Sequence, residues 1–408
     1  VGTIEGETRL TDPRIILKPG REKSIRQRHP WIFSGAIQEI VGSPGMGDTV
    51  DVCGRQGGWL ARAGYSPHSQ ISARIWTWRE SETVGEDYFV RAICQAAQYR
   101  SALKTYTNGI RLVNAENDGL PGLIVDTYDG YLVVQLLSAG AEHWRKEILR
   151  AVSQLPGVKG VFERSDVEVR DKEGLPPALG VLLGQDPPQR IVMAEGDWKF
   201  LVDVRQGHKT GFYLDQRENR SALARLISQN LRGKEILNVF SYTGAFSVVA
   251  YTSGAGSVLN VDSSEAALSF LPEHHSLNGI PPAQDGFLAG NAFEVLRGFR
   301  DQGRSFDMII VDPPKLAQSQ RGLTKATRAY KDINWLSMRL LRPNGYLASF
   351  SCSGLVDEDL FQKILFSASL DAGRDVQIIE RLGQPMDHPV RLSFPEGKYL
   401  KGFICRVG

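Results

Sequence analysis

The chain is 408 residues long, and at roughly 100 to 200 residues per domain that length makes two to four domains and excludes a single-core protein. Hydrophobic residues make up 42% and charged residues 23%, globular proportions that exclude disordered, collagen-like and coiled-coil chains. With 48 Lys and Arg against 46 Asp and Glu the net charge is +2, so a nucleic-acid partner has to be met by local basic patches.

No stretch reaches the roughly 18 consecutive apolar residues of a membrane span. The opening residues lack the charged start, apolar core and small-residue cleavage site of a secretory signal, so the expectation is a cytoplasmic protein with no membrane partner. Cys53, Cys94, Cys352 and Cys405 stand far apart with no C-x-x-C pair, which argues against a zinc site or disulfide framework, and no metal is expected.

From the amino-terminal end, Ile15-Leu17, Trp31-Phe33, Thr49-Val52, Trp59-Ala63 and Ile71-Trp76 read as short strands between Gly, Pro and Ser clusters, a small all-β module over residues 14–86. Within it Arg14, Lys18, Arg21, Lys23, Arg26 and Arg28 face one acid, Glu22, before His29, Pro30 and Trp31. Such a run is either a phosphate track or a solvated face with Trp31 and Phe33 as barrel core. A period near 3.6 through Phe89, Ile93, Ala96, Ala97 and Leu103 predicts a helix. Strands follow at Arg111-Val113, Leu123-Thr127 and Tyr131-Leu137, with Asp129-Gly130 as a hairpin turn; a helix over Ala141-Leu155 and a strand at Gly160-Glu163 complete an α+β unit over residues 87–185. Lys172-Pro177 and Asp186-Pro188 are rich in Pro and Gly and suit a linker.

Residues 186–408 open with a hairpin, Ile191-Ala194 and Phe200-Val204, and then alternate strand and helix. The strands are Ile236-Phe240, Ser257-Val261, Gly286-Ala289, Asp307-Val311, Tyr346-Phe350, Val376-Glu380 and Tyr399-Cys405, which make a doubly wound sheet with a terminal hairpin. The turn Ser241-Tyr242-Thr243-Gly244 after the first of these has one glycine, where a dinucleotide fold wants G-x-G-x-x-G. A Walker loop is absent as well, which points to S-adenosylmethionine. Asp262 ends the second strand, where a carboxylate accepts from ribose hydroxyls or simply caps a helix. Asp312-Pro313-Pro314-Lys315 ends the fourth strand as a rigid acid at the ligand-binding edge. The fifth strand runs into Cys352, which neighbouring strands about 4.8 Å apart bring close to Asp312. Cys53, Cys94 and Cys405 read as small buried hydrophobes; Cys352, beside both donor turn and acid, reads as a covalent nucleophile.

Lys209 to Arg217, Asn238 to Gly244, Asp312-Pro313-Pro314-Lys315 and Phe350-Ser351-Cys352-Ser353-Gly354, with Lys18 to Arg21 and His29 to Gly35, resemble the RlmI-type bacterial 23S rRNA (cytosine-carbon-5) methyltransferases. The resemblance covers nearly the whole chain from Ile15 onward. It implies a multidomain α/β protein: a PUA-like small β-barrel that binds RNA, a central α+β domain, and a Rossmann-like class I methyltransferase domain. It further implies that Tyr213, Asp215, Gln216 and Arg217 help close the S-adenosylmethionine pocket and that Asn238, Ser241, Gly244 and Asp262 line it. Where the family has an acid touching adenine after strand three, this chain has Asn291. Pro272 falls inside the helix after Asp262, where an interior proline costs about 3 kcal/mol or kinks it. His274 and His275 read as surface residues.

The chemistry implied is attack of the Cys352 thiolate on carbon 6 of a cytosine in ribosomal RNA, with Asp312 at ring nitrogen 3 and the base single-stranded or flipped out. The residues name no base for removing the carbon-5 proton. RNA contacts are expected from Arg21, Lys23, Arg26 and Arg28, with Lys315 either a phosphate anchor or plain surface, and a homodimer is compatible with this reading. Two alternatives stay open: an RNA-binding assembly factor whose methyltransferase fold has lost activity, supported by Asn291 and Pro272, and a methyltransferase acting on uridine or protein.

Overall fold

The computed structural model describes residues 13–281, 285–317 and 319–408 and divides into two compact units. The first takes the chain up to Ile191 together with Asp203–Phe212 and Pro389–Gly397; the second takes Val192–Val202, Tyr213–His388 and Lys398–Gly408.

In the first unit, β1 (Arg14–Leu17), α1 (Glu22–Arg26), β2 (Trp31–Phe33), β3 (Ile37–Val41), β4 (Thr49–Cys53), β5 (Trp59–Tyr65) and β6 (Ile71–Thr77) make a six-stranded sheet of order β2-β6-β5-β4-β1-β3. Alternate residues Ile15 and Leu17, and Val50 and Val52, are buried in its core, as the period of two requires. β3 is not among the strands expected from the sequence. It is an edge strand with its three middle residues exposed, so it carries no alternation to read. Next come α2 (Glu86–Tyr99), β7 (Gly109–Asn114), β8 (Leu123–Tyr128), β9 (Tyr131–Leu136), α3 (Ala139–His143), α4 (Arg145–Ser153), β10 (Gly160–Ser165) and β11 (Ala178–Gly184), whose strands form a second sheet, β11-β10-β9-β8-β7. The Asp129-Gly130 turn is left-handed at both positions, φ 50° and 82°, as predicted. The helix expected over 141–155 is two helices that break at Trp144. The stretch read as a linker contains β11, which pairs antiparallel with β10. Leu179, Val181 and Leu183 of this edge strand are exposed, so the alternation gave no inward face. The two sheets are tied by the buried Arg74–Glu173 ion pair at 2.8 Å and by Trp31 Nε1 donating to Glu116 at 2.9 Å.

The second unit opens with the hairpin β12 (Ile191–Glu195) and β13 (Trp198–Val202), then α5 (Arg217–Asn230), β14 (Glu235–Val239), α6 (Ala245–Thr252), β15 (Ser257–Asp262), α7 (Glu265–Leu268), α8 (Leu271–Leu277) and β16 (Asp285–Ala289). It continues with α9 (Ala292–Asp301), β17 (Phe306–Val311), α10 (Leu323–Leu340), β18 (Leu341–Ser351), α11 (Glu358–Ala372), β19 (Val376–Leu382) and β20 (Lys401–Val407). The sheet order is β16-β15-β14-β17-β18-β20-β19. The first five strands run parallel, and β20 is antiparallel to β18 and to β19, which is the doubly wound sheet with a terminal hairpin. Met308 to Val311 are all fully buried, the near-continuous apolar run of a strand covered on both faces.

Two expectations about the segment after Asp262 are corrected. Pro272 is not interior, because the segment breaks into α7 and α8 and the proline lies in the first turn of α8, where its missing N–H has no partner to lose. His274 and His275 are not on the surface but 0% and 1% exposed. Leu201 N donates to His274 Nε2 at 2.7 Å, so the ring donates through Nδ1 to Thr243 O, also at 2.7 Å; the partners assign a neutral tautomer. A histidine pair gives no sequence signal that separates a solvated face from a ring pinned between two backbone groups.

Candidate active site

β14 is the centre of the parallel sheet, and the side chains at its carboxyl end set the local geometry. Asn238, 0% exposed, donates through Nδ2 to Ser247 Oγ at 3.1 Å and to Asn260 Oδ1 at 3.2 Å. The chain then turns through left-handed conformations at Phe240 (φ 61°), Tyr242 (φ 51°) and Gly244 (φ 82°) before entering α6. Only the last of these residue types adopts that conformation without strain. Asp262 at the end of β15 holds the turn by accepting from Tyr242 N at 2.8 Å, while its other oxygen accepts from Ser264 N at 2.9 Å. Ser264 itself caps α7, so Asp262 is not the helix cap. His274 grips the same turn at Thr243 O.

Strand adjacency brings the loop that begins at Asp312 to the thiol. Val311 pairs with Ser349 in the β17–β18 register, and Cys352 Sγ lies 3.9 Å from Pro313 O. Asp312 accepts from Gln216 Nε2 at 2.9 Å, and Gln216 in turn accepts from Asn219 Nδ2. Asp215 accepts from Tyr399 Oη at 2.8 Å. Tyr213 meets Tyr242 edge-on at 5.3 Å between centroids. Burial, reinforced by Asp312 and Asp215, pushes its phenol well above the usual range, so it stays neutral. Tyr330 accepts from Ser351 Oγ at 3.0 Å and lies 3.1 Å from Ser353 Oγ, which fixes both residues that flank Cys352.

A family model described as "S-adenosylmethionine-dependent methyltransferase" matches residues 118–395, and one described as "PUA-like domain" matches residues 15–78. The chain is 48% identical over 396 residues to the ribosomal RNA large subunit methyltransferase I of Erwinia tasmaniensis, covering 97% of this chain and 99% of the relative. The protein of that name from Yersinia pestis matches to the same extent. The chain belongs to the ribosomal RNA large subunit methyltransferase I family. Among solved structures, SMU.776 in complex with SAH superposes with a TM-score of 0.84 at 21% identity over 96% of this chain and 99% of that one. A SAM-dependent methyltransferase from Agrobacterium tumefaciens gives 0.51 at 17% identity over 74% and 90%. These likenesses show the fold alone.

As a methyltransferase I family member the chain uses S-adenosylmethionine, and the turn after β14 fits it. Asn238 Oδ1, Ser241 Oγ and Thr243 Oγ1 are buried and have no hydrogen-bond partner among the described residues, and buried polar atoms of native proteins are seldom left so. A ligand carrying hydroxyl, amino and carboxylate groups would satisfy them. The sequence-predicted residues distribute unevenly about this turn. Asn238, Ser241, Gly244 and Asp262 gather there and Tyr213 reaches it through Tyr242, while Gln216 and Cys352 meet the Asp312-Pro313 loop and Asp215 bonds Tyr399. Arg217 instead enters a buried charge cluster, 2.9 Å from Asp387 and 3.8 Å from Glu195. Asn291 is exposed and caps α9 by accepting from Phe293 N at 2.9 Å. Lys315 is exposed in the loop after Asp312.

In the other unit, Arg21, Lys23, Arg26 and Arg28 are exposed on and beside α1, with Arg28 over the Trp78 ring at 5.5 Å. Phe33 is exposed and Ile32 takes the core position. Cys53 and Cys405 are buried as expected, whereas Cys94 is exposed. No group of three or more His, Cys, Asp or Glu among the described residues could hold a metal. No helix of the described residues is long and apolar enough to cross a membrane. Sequence reasoning missed His274 and Lys401. The second left a signal, since it is an ionisable residue in an otherwise apolar strand segment, Leu400 to Cys405.

Proposed function

We propose that this methyltransferase acts on carbon 5 of a cytosine in large-subunit ribosomal RNA through a covalent adduct with Cys352. The observation that most supports this reading is the 3.9 Å approach of Cys352 Sγ to Pro313 O, which sets a thiol beside the rigid Asp312 loop at the ligand-binding edge of the sheet. Carbon 5 of cytosine is a weak nucleophile. The Cys352 thiolate adds to carbon 6, forming an S–C6 bond and shifting the C5–C6 π pair toward carbon 5. Asp312, oriented by Gln216 on one oxygen and protonated on the other, donates its proton to ring nitrogen 3, where the adduct's negative charge collects. When bound, S-adenosylmethionine supplies the electrophilic methyl carbon that carbon 5 takes. Solvent then takes the carbon-5 proton, the C–H pair re-forms the C5–C6 double bond, the thiolate leaves with the S–C6 pair, and Asp312 regains its proton from nitrogen 3. Tyr213, Asp215, Gln216, Asn238, Ser241, Gly244 and Asp262 are assigned to the cofactor, with Asn291 and Arg217 in supporting positions. The target base must be unpaired or flipped out to reach the thiol.

Cys352→Ala is expected to abolish methyl transfer while leaving the S-adenosylmethionine dissociation constant, read by calorimetry, within about twofold of wild type, since the thiol acts on the base and not on the donor. Equal loss of both would make Cys352 structural. Nucleoside mass spectrometry of ribosomal RNA treated with enzyme and cofactor is expected to give 5-methylcytidine; 5-methyluridine in its place would overturn the choice of base. RNA is assigned to residues 14–86 through Arg21, Lys23, Arg26 and Arg28, with residues 87–185 and 186–408 as the central and catalytic segments. Neutralising those four cations is expected to lower the slope of log affinity against log salt by about 0.7 to 0.9 for each phosphate that is no longer engaged, and Lys315→Ala tests the one further anchor.

A further inference from the structure

We propose that Lys401 is a positioning residue for Cys352: from β20 it fastens the loop that follows the cysteine and supplies the positive charge that favours the thiolate. This rests on the reading of Cys352 as nucleophile. Lys401 is 2% exposed and lies opposite Ser351 in the β18–β20 register. Its ammonium donates to Ser353 O at 2.7 Å and to Val356 O, so two of its three N–H bonds close the turn that begins at Cys352.

Both acceptors are neutral, and among the described residues no carboxylate forms an ion pair with Lys401. The acids whose charge acts on it are engaged elsewhere. Glu358 is bonded to Arg381 and Lys398, and Asp357 caps α11 by accepting from Leu360 N at 2.7 Å. A buried ammonium without a paired anion is costly, and an apolar side chain of the same length would fill the space at lower cost. Cys352 lies between Ser351, which faces Lys401 across the strands, and Ser353, whose carbonyl Lys401 binds, and its charge acts on the lysine ahead of Asp357, Lys398 and Glu358. The Lys401 ammonium is pushed down to about 8, burial lowering it and charge on Cys352 opposing the fall. By linkage, the charged lysine favours the thiolate to the same extent. Other titratable groups in this neighbourhood are Asp312 from the loop after β17, Asp215, Tyr213, Tyr242, and Tyr330 from α10. The two acids bring no positive charge and burial holds the Tyr213 and Tyr330 phenols neutral, whereas Lys401 brings a cation to this group. A cysteine nucleophile acts as its thiolate.

The test is the pH dependence of Cys352 alkylation by iodoacetamide in the full chain, followed by peptide mass spectrometry, with the exposed Cys94 as reference in the same digest. Wild-type Cys352 is expected to react with a midpoint below that of Cys94. Lys401→Met is expected to raise the midpoint by about one pH unit, which is about a tenfold loss of thiolate at neutral pH. It should move the acid limb of kcat in step and leave cofactor affinity unchanged, and Lys401→Arg should recover part of the shift. An unchanged midpoint in Lys401→Met, even with reduced kcat, would reduce Lys401 to a loop tie and overturn the proposal. If that variant does not fold, a wild-type midpoint at or above that of Cys94 overturns it instead. Should Cys352→Ala keep transferring methyl groups, the nucleophile reading fails while the Lys401-dependent midpoint still stands or falls by itself.

Discussion

The turn between β8 and β9 and the turn between β14 and α6 both run through the left-handed region, yet with opposite chemistry. At the first, Asp129 and Gly130 have φ 50° and 82°; at the second, Phe240 and Tyr242 have φ 61° and 51° before Gly244 at 82°. Asp-Gly is the sequence that such a hairpin selects. An aromatic residue in the same conformation costs of order 1 to 2 kcal/mol and persists where surrounding contacts over-determine it. At the second turn those contacts are Asp262 on Tyr242 N and His274 on Thr243 O. The contrast teaches that a turn whose residues suit its geometry reports on folding, while a turn whose residues resist it reports on what it binds.

The largest effect expected from this contrast is at the acid that holds the strained turn. Asp262→Ala removes the acceptor of Tyr242 N as well as the carboxylate assigned to the ribose. Calorimetry is expected to record a loss of about 1 to 3 kcal/mol in S-adenosylmethionine binding, and an unchanged dissociation constant would deny the turn its role. Next in size is Gly130→Ala, since a Cβ there would stand 2.6 Å from Gly157 O in a left-handed backbone. Chemical denaturation should show stability lower by about 1 to 2 kcal/mol with cofactor affinity untouched; a change in affinity would erase the distinction between the turns. The smallest effect is Tyr242→Gly. Relief of the left-handed penalty is partly offset by glycine's extra unfolded-state entropy, so stability should rise by less than about 1 kcal/mol while binding weakens because Tyr213 no longer has a ring to pack against. A drop in stability would mean that Tyr242 is not strained.

The same contrast explains how much could be read from the sequence. The strands of the doubly wound sheet, the Asp129-Gly130 hairpin and the approach of Cys352 to the Asp312-Pro313 loop were legible because local pattern and tertiary demand agree there. Edge strands β3 and β11 were not, since a strand at a sheet edge buries too little of either face to impose a period. Pro272 misled because the composition of the segment hides the break between α7 and α8, and His274 because its two partners, Leu201 and Thr243, are distant in sequence. Lys401 was passed over for the same reason: a strand pattern records that a residue faces inward, and says nothing of which carbonyls await it.

The two units are threaded through each other along the chain. The backbone passes between them at 191/192, 202/203, 212/213, 388/389 and 397/398, so each is assembled from three separate stretches. In the first unit, Thr210 from one excursion donates to Asp126 at 2.6 Å, and Phe394 from the other stacks edge-on with Trp31 at 4.7 Å. A single cut therefore severs no complete module. A fragment that stops near residue 190 keeps both sheets of the first unit but loses these two clasps, and its behaviour would report the missing clasps before it reported on RNA. Dissecting what each unit contributes calls for point substitutions in the intact chain, and limited proteolysis is expected to yield nicked protein that stays associated where a simple tandem protein would fall into pieces.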